Sequence, residues 1–236
     1  MKERPIIFST PMVKAILAGR KTQTRRPLKP KAQEYMRNDM NKVLDGTIYN
    51  YSFEETLATC PYGKSGDLLW VRETWGHTGH GVWKVSDARM ASLNGKVVYR
   101  ADDDTPGGWF PSIHMPREFA RIFLKVTDVR IERLQEISEE DAKAEGVAWP
   151  IENEIEDHDW SICERCGGTL LYDALGPNLG VMPDTDCYEC DTAKKRFKHL
   201  WNYINGNAEN QGDAWGINPW VYALTFERVE SLEKAA

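Results

Sequence analysis

Four of the five cysteines form two Cys-x-x-Cys pairs, Cys163 with Cys166 and Cys187 with Cys190, and twenty residues separate the pairs. Each pair can form a turn that presents two sulfurs to one ion, and four thiolates in a tetrahedron suit structural zinc. A closed four-cysteine site has no open position for water, so we expect it to hold its segment in shape rather than to catalyse. Iron in place of zinc, or a disulfide formed after purification, are the alternatives. Cys60 has no partner in either pair, which predicts a buried or incidental thiol.

A basic cluster on this acidic chain forms the second chemically informative segment. The chain has a formal net charge of −6, yet residues 20–31 hold six positive charges and no acid: Arg20, Lys21, Arg25, Arg26, Lys29 and Lys31. A basic segment of this kind indicates a local contact with an anion or a nucleic acid. A solvated basic loop is the alternative interpretation.

Lys21 and Thr24 within this cluster could perform nucleophilic chemistry. A threonine hydroxyl is a poor nucleophile until a base takes its proton. A lysine can act as that base only if its pKa falls, through desolvation or nearby positive charge, and the neighbouring arginines supply such charge.

Glu145 is the candidate acid or base on a different element. Ser138 is a good helix N-cap, Asp141 stands at the capping-box position, and Gly146 stands where the helix should stop. Glu145 therefore lies at the negative end of the helix dipole, which disfavours its charged form and favours a role in proton transfer.

The remaining elements are predicted to be mostly strands. Alternation and β-branched or aromatic content predict strands at 5–9, 68–75, 96–100, 121–133 and 220–229. Helices are predicted from Thr10 to Gly19, from Ser138 to Gly146 and over about 191–205, the last with an apolar stripe that includes Ile204. The sum is an α+β protein, a sheet or barrel with flanking helices. We expect one domain over 1–236 with two insertions, a polar one at 27–65 and the cysteine-bearing one at 149–190.

Composition supports a folded protein without a membrane segment. Hydrophobic residues make up 41% of the 236 positions, enough for a sizeable core. The longest apolar runs are far below the ~18 residues that a membrane span needs. The first residues lack the apolar core of a signal peptide, so we expect a cytoplasmic protein whose cysteines are reduced or metal-bound.

The basic cluster also resembles the signature of the ASCH family, small domains of the PUA-like β-barrel superfamily. That signature has a Gly-x-Lys after the first helix, then an Arg, and later a Gly-Asp turn into a strand. This chain matches it with Gly19, Lys21, Arg26 and the turn at 66–67. The commonest family pattern has Glu three residues after the Lys, and this chain has Thr24. Thr24 makes it similar to the subgroup that hydrolyses N(4)-acetylcytidine to cytidine and acetate.

The resemblance implies a PUA-like β-barrel and an amidohydrolase activity on N(4)-acylated cytosine nucleosides, with no cofactor in catalysis. Lys21, Thr24 and Glu145 match the subgroup's catalytic set. The stretch around Glu73 and Trp75 is also similar to longer phage and prophage ASCH proteins. We expect Arg26, Glu73 and Trp75 to bind the substrate, a modified cytidine nucleoside or nucleotide.

Two other functions remain open on the sequence. PUA-like folds commonly bind RNA, as the resemblance implies, and the basic cluster together with Trp70, Trp75, Trp83 and Trp109 could bind RNA or a modified nucleotide without catalysis. Alternatively, the acidic run at 152–159 and the cysteine pairs could form the docking surface of a regulatory protein.

Overall fold

The computed structural model describes residues 1–37, 42–44, 47–49, 53–90, 95–102, 106–147, 163–167, 169–177, 180–205 and 214–229. The acidic run at 152–159, part of the 27–65 segment and part of the 149–190 segment lie outside the described residues. Within the described ranges, no helix is both long and apolar enough to cross a membrane.

Six α-helices and twelve strands are found in these ranges. The helices are α1 (Thr10–Leu17), α2 (Pro30–Arg37), α3 (Phe53–Ala58), α4 (Val85–Met90), α5 (Glu139–Ala144) and α6 (Ala193–Asn205). The strands are β1 (Glu3–Ile7), β2 (Gln23–Pro27), β3 (Lys42–Leu44), β4 (Thr47–Tyr49), β5 (Leu68–Arg72), β6 (Trp75–His77), β7 (Val97–Tyr99), β8 (Trp109–Phe110), β9 (Phe123–Arg133), β10 (Leu171–Leu175), β11 (Val181–Asp186) and β12 (Trp220–Val229).

The fold is mixed α+β, as the sequence predicted. Across the described residues the strands form open sheets and no closed barrel, so the predicted PUA-like barrel is not confirmed. The chain divides into two compact units. The first comprises Met1–Gly19, Ala58–Val129 and Leu224–Ala236, and the second comprises Arg20–Leu57 and Arg130–Ala223.

The first unit is built on a parallel and an antiparallel strand pair. β1 runs parallel to β5, with Ile6 opposite Val71, and β5 runs antiparallel to β9, with Leu69 opposite Leu124. These four side chains are buried and form part of the core. The predicted strand at 68–75 is divided, because β5 ends at Arg72 and the chain enters β6 in a separate small sheet with β7 and β8.

Two glycines with positive φ shape the chain before β5. Gly66 has a φ of +88° and Gly63 a φ of +91°, conformations that glycine adopts without steric cost. A Cβ at Gly63 would come within 2.6 Å of the Asp67 carboxylate, so the missing side chain leaves room for that carboxylate. Asp67 accepts hydrogen bonds from the backbone N–H groups of Lys2 and Lys64.

The second unit contains β2, the last residues of β9 and the first residues of β12. In the order of strands, β12 lies between β9 and β2. The Leu28 N–H, just after β2, donates to the Trp220 carbonyl at 3.0 Å. Gln33 of α2 binds both the N–H and the carbonyl of Trp220, which ties α2 to β12. The predicted polar insertion at 27–65 therefore contains regular structure that its weak periodicity did not indicate.

Both predicted helices of the second unit are present. The Ser138 hydroxyl accepts the Asp141 N–H at 3.0 Å, and Gly146 follows the helix with a φ of +85°, so the predicted cap and stop of α5 are confirmed. In α6, Phe197, Leu200 and Trp201 are buried as the periodicity predicts, whereas Ile204 is 43% exposed. The cysteine-bearing segment contains the antiparallel hairpin β10–β11, which the sequence did not indicate.

Candidate active site and candidate metal centre

The segment before β2 meets the end of α5 in the second unit. Lys21 and Glu145 form an isolated antiparallel bridge, and the Thr22 N–H donates to the Ala144 carbonyl at 2.8 Å. The bridge forms where α5 stops, because Gly146 turns the chain out of the helix. Two of the predicted catalytic residues, 124 positions apart in sequence, therefore lie side by side.

The Lys21 ammonium group is buried and donates hydrogen bonds to three oxygen atoms of the described residues. Its Nζ donates to Glu145 Oε2 at 2.7 Å, to the Glu145 carbonyl at 2.8 Å and to the Gln23 carbonyl at 2.8 Å. Lys21 and Glu145 are each only 2% exposed. Burial lowers the pKa of Lys21, and the Glu145 carboxylate opposes that shift.

Arg25, also buried, binds the second oxygen of the same carboxylate. Its Nη1 lies 3.2 Å from Glu145 Oε1, its Nη2 lies 2.9 Å from Asp141 Oδ2, and its Nε lies 2.7 Å from Glu132 Oε1. Gln23 adds a bond to Asp141 Oδ1 at 2.8 Å. One guanidinium group thus connects β2 to β9 and to α5.

Arg130 completes an ion-pair network by binding both Glu132 and Asp141. The network pairs three cations with three carboxylates: Lys21, Arg25 and Arg130 with Glu132, Asp141 and Glu145. This balance matters because an unpaired charge in such a buried place would be strongly destabilising.

Thr24, the predicted nucleophile, is 3% exposed and belongs to β2. Side chains alternate along a strand, so Thr24 and Arg26 lie on the opposite face of β2 from Gln23 and Arg25. Within the described residues, the Thr24 hydroxyl has no hydrogen bond to Lys21 or Glu145. The catalytic role of Thr24 and the substrate-binding role of Arg26 stay predictions.

The other two predicted substrate-binding residues lie in the first unit. Arg121 binds Glu73 through two parallel hydrogen bonds of 2.9 and 3.0 Å. Trp75 is fully buried and stacks on Phe110 at a centroid distance of 4.5 Å. These contacts hold both side chains in the core, and their substrate-binding role stays a prediction.

The four predicted metal ligands form one buried cluster in the second unit. The Sγ atoms of Cys163, Cys166, Cys187 and Cys190 all lie within 4.8 Å of one another. All four are free thiols, with Sγ···Sγ distances of 3.7 Å between Cys163 and Cys187 and 3.4 Å between Cys166 and Cys190. A tetrahedral ion with metal–sulfur bonds of about 2.3 Å separates its ligands by ~3.8 Å, so this donor set fits such an ion. The cluster is placed to bind a metal ion.

The basic cluster is not one continuous charged surface. Lys21 and Arg25 are buried in the ion-pair network, whereas Arg20, Lys29 and Lys31 are exposed. The tryptophans considered as stacking surfaces also differ, since Trp83 is 83% exposed and Trp75 is buried. A nucleic acid could thus contact only part of the residues that the sequence offered.

Sequence reasoning missed the roles of Glu132 and Asp141 as partners of Arg25. One available signal was the spacing of Asp141 and Glu145, four residues apart and hence on one face of α5. No local pattern links either residue to β2, because the contacts join positions more than 100 residues apart.

Comparison of the chain with protein-family models, with curated proteins and with solved structures gave no match in any of the three.

Proposed function

We propose that the protein is an amidohydrolase that cleaves the acyl amide of N(4)-acylated cytidines, giving cytidine and a carboxylic acid. The observation that supports this proposal is the buried contact of 2.7 Å between Lys21 and Glu145, two residues selected for this reaction from the sequence. The resemblance to the ASCH amidohydrolase subgroup supplies the substrate class and the PUA-like fold.

The Lys21–Glu145 pair can serve as both a base and an acid. Burial lowers the pKa of Lys21, which makes its neutral amine easier to reach than that of an exposed lysine. As a neutral amine, Lys21 accepts a proton from the nucleophile, the proton passes to Glu145 over the 2.7 Å contact, and Glu145 donates it to the leaving group.

The proposed reaction has two steps and consumes one water. The Thr24 hydroxyl attacks the acyl carbon, and its proton reaches Lys21 through a bridging water, because the two side chains, both among the described residues, are not hydrogen-bonded to each other. The C–N bond breaks as Glu145 protonates the cytosine amine. Water then attacks the threonyl ester and loses a proton to the Lys21–Glu145 pair. The pair returns a proton to the Thr24 oxygen as the carboxylic acid leaves, so the hydroxyl is restored. Arg26 or a backbone N–H stabilises the oxyanion in both steps.

The proposal also covers the metal ion, the cellular compartment and the form of the substrate. The metal ion at the four cysteines is zinc in a structural role, since four thiolates leave no open coordination position. The protein works in the cytoplasm, where thiols stay reduced and able to bind metal. Its substrate is a nucleoside, a nucleotide or a residue within RNA.

Hydrolysis of N(4)-acetylcytidine, followed by loss of its absorption band, tests the proposal. We expect Glu145→Gln to lower kcat by at least about 100-fold, the usual contribution of a positioned acid or base. We expect Thr24→Ala to abolish turnover and Thr24→Ser to retain part of it, because serine keeps the hydroxyl. Thr22→Ala is the matched control, since Thr22 is exposed in the same segment.

The variants distinguish two nucleophiles within the same activity. If Glu145→Gln is inactive while Thr24→Ala retains turnover, the nucleophile is a water molecule and the threonyl ester does not form. If the folded wild-type protein does not hydrolyse the substrate at all, the amidohydrolase proposal is wrong.

RNA binding without catalysis is the second candidate, supported by the three exposed cations Arg20, Lys29 and Lys31. In that case affinity for RNA falls steeply as salt rises, because each phosphate contact releases counterions. Replacing these exposed cations should then weaken binding, whereas Thr24→Ala should have no effect on it.

A further inference from the structure

Basic side chains of α6 are bound to the second cysteine pair. Lys195, Arg196 and His199 donate to the backbone carbonyls of residues 188, 190 and 189, at distances of 2.7, 2.7 and 3.2 Å in that order. These carbonyls belong to the turn that a metal ion would fix through Cys187 and Cys190. The position of α6 therefore depends on the conformation of this turn.

Glu139 connects α6 to α5. Its carboxylate accepts the backbone N–H of Ala193 at 2.9 Å and that of Lys194 at 3.3 Å. The first N–H groups of a helix have no partner within the helix, and a carboxylate there also complements the helix dipole. In return, Lys194 Nζ donates to the Gln135 carbonyl at 2.6 Å. The first turns of the two helices are thus bound to each other.

The same two helices contact the ion-pair network. Glu139 begins α5, and the helix ends just before Glu145, whose carboxylate binds Lys21 and Arg25. The Arg25 guanidinium also lies 5.9 Å from the ring centroid of Phe197 in α6. A displacement of α6 would therefore affect Glu145 through α5 and through Arg25.

We infer that the metal ion bound by the four cysteines holds Glu145 against Lys21, and that Glu139 is the positioning residue that transmits this effect. Metal binding fixes the 187–190 turn, the turn fixes α6 through its three carbonyls, and Glu139 fixes α5 on α6. The catalytic consequence rests on the proposed function, whereas the positional coupling does not. Loss of the metal would accordingly switch the Lys21–Glu145 site to a less ordered state.

Amide hydrogen exchange tests this coupling without any substrate. The protein is loaded with one equivalent of Zn²⁺ under reducing conditions and compared with protein stripped by a chelator in the same reductant. We expect metal removal to speed exchange of the α5 amides and of the Thr22 N–H, which bonds to Ala144. Exchange in β5, in the first unit, should change much less.

Glu139→Ala with metal bound is the second arm, and Glu140→Ala is its matched control. Glu140 is the adjacent, exposed carboxylate of the same helix turn. We expect Glu139→Ala to keep one equivalent of Zn²⁺ while its α5 amides exchange about fivefold faster, the effect of one lost helix-cap interaction. Metal removal should then add less to α5 exchange than it does in the wild type. Glu140→Ala should match the wild type in both states.

Two results would overturn the inference. One is unchanged α5 exchange on metal removal when the 163–190 segment itself loses protection. The other is a metal-loaded Glu139→Ala protein whose α5 exchange equals that of Glu140→Ala, and this arm decides the question even if stripped protein unfolds. If both arms succeed but N(4)-acetylcytidine is not hydrolysed, the proposed function fails and the coupling stands.

Discussion

Burial determines what the charged residues of the two sequence motifs can do. Lys21 of the Gly-x-Lys motif is 2% exposed and Asp67 of the Gly-Asp turn is 5% exposed. Each is satisfied by hydrogen bonds within its own unit, Lys21 by Gln23 and Glu145, and Asp67 by the N–H groups of two lysines. Folding lowers the pKa of both groups, through burial for Lys21 and through backbone hydrogen bonds for Asp67.

The acid stability of the protein should depend on Asp67. Burial alone would raise the pKa of Asp67, but the backbone N–H groups of Lys2 and Lys64 lower it below the ordinary aspartate value of 3.8. A lowered carboxylate pKa stabilises the folded protein above about pH 4, and this contribution is lost as the pH falls below 3.8. The difference in unfolding free energy between wild type and Asp67→Asn should therefore shrink as the pH falls from 6 to 3. Urea denaturation at each pH measures it, and a pH-independent difference would contradict the assignment.

At the scale of elements, Arg25 holds β2, β9 and α5 together. Its side chain is fully buried and binds a carboxylate on each of the other two elements, Glu132 on β9 and Asp141 on α5. Such a network contributes orientation more than net stability, because the desolvation of the charges offsets much of their attraction. Removing one member is still costly, since its partners stay buried without it.

We therefore expect Arg25→Gln to lower the unfolding free energy by about 3–5 kcal/mol, the usual effect of breaking a buried ion pair. Arg20→Gln is the control, because Arg20 belongs to the same basic cluster but is exposed. Its effect should stay within about 0.5 kcal/mol. Chemical denaturation measures both variants, and equal effects would mean that the Arg25 contacts carry no stability.

At the scale of the whole molecule, the Lys21–Glu145 pair and the cysteine cluster both belong to the second unit. The first unit contains the fifth cysteine, Cys60, which is buried and a free thiol. Metal binding should consequently depend on cysteines of one unit only.

Metal content tests this division. Cys163→Ser should lose most of its metal, because a hydroxyl is a much poorer ligand than a thiolate for a zinc-like ion. Cys60→Ser should keep about one equivalent per chain. The measurement is elemental analysis of freshly purified, reduced protein, and metal-free wild-type protein would show that the cluster does not bind a metal ion under these conditions.

Much of the local structure could be predicted from the sequence. The cap of α5 at Ser138, its stop at Gly146, the long strand β9 and the four clustered cysteines all follow from patterns within a few residues. Such patterns suffice because capping, turn conformation and the Cys-x-x-Cys turn depend on near neighbours. The same reasoning placed Glu145 at a helix end.

The tertiary structure alone decided which charges are buried and what they bind. The sequence predicts that the basic cluster is one solvated or anion-binding segment. In the structure, Lys21 and Arg25 are buried in an ion-pair network, whereas Arg20 is exposed. The division of the 68–75 strand and the hairpin of the cysteine-bearing segment were likewise decided by strand pairing. The physical reason is that burial and ion pairing join residues more than 100 positions apart, whereas a sequence pattern records only the preferences of neighbours along the chain.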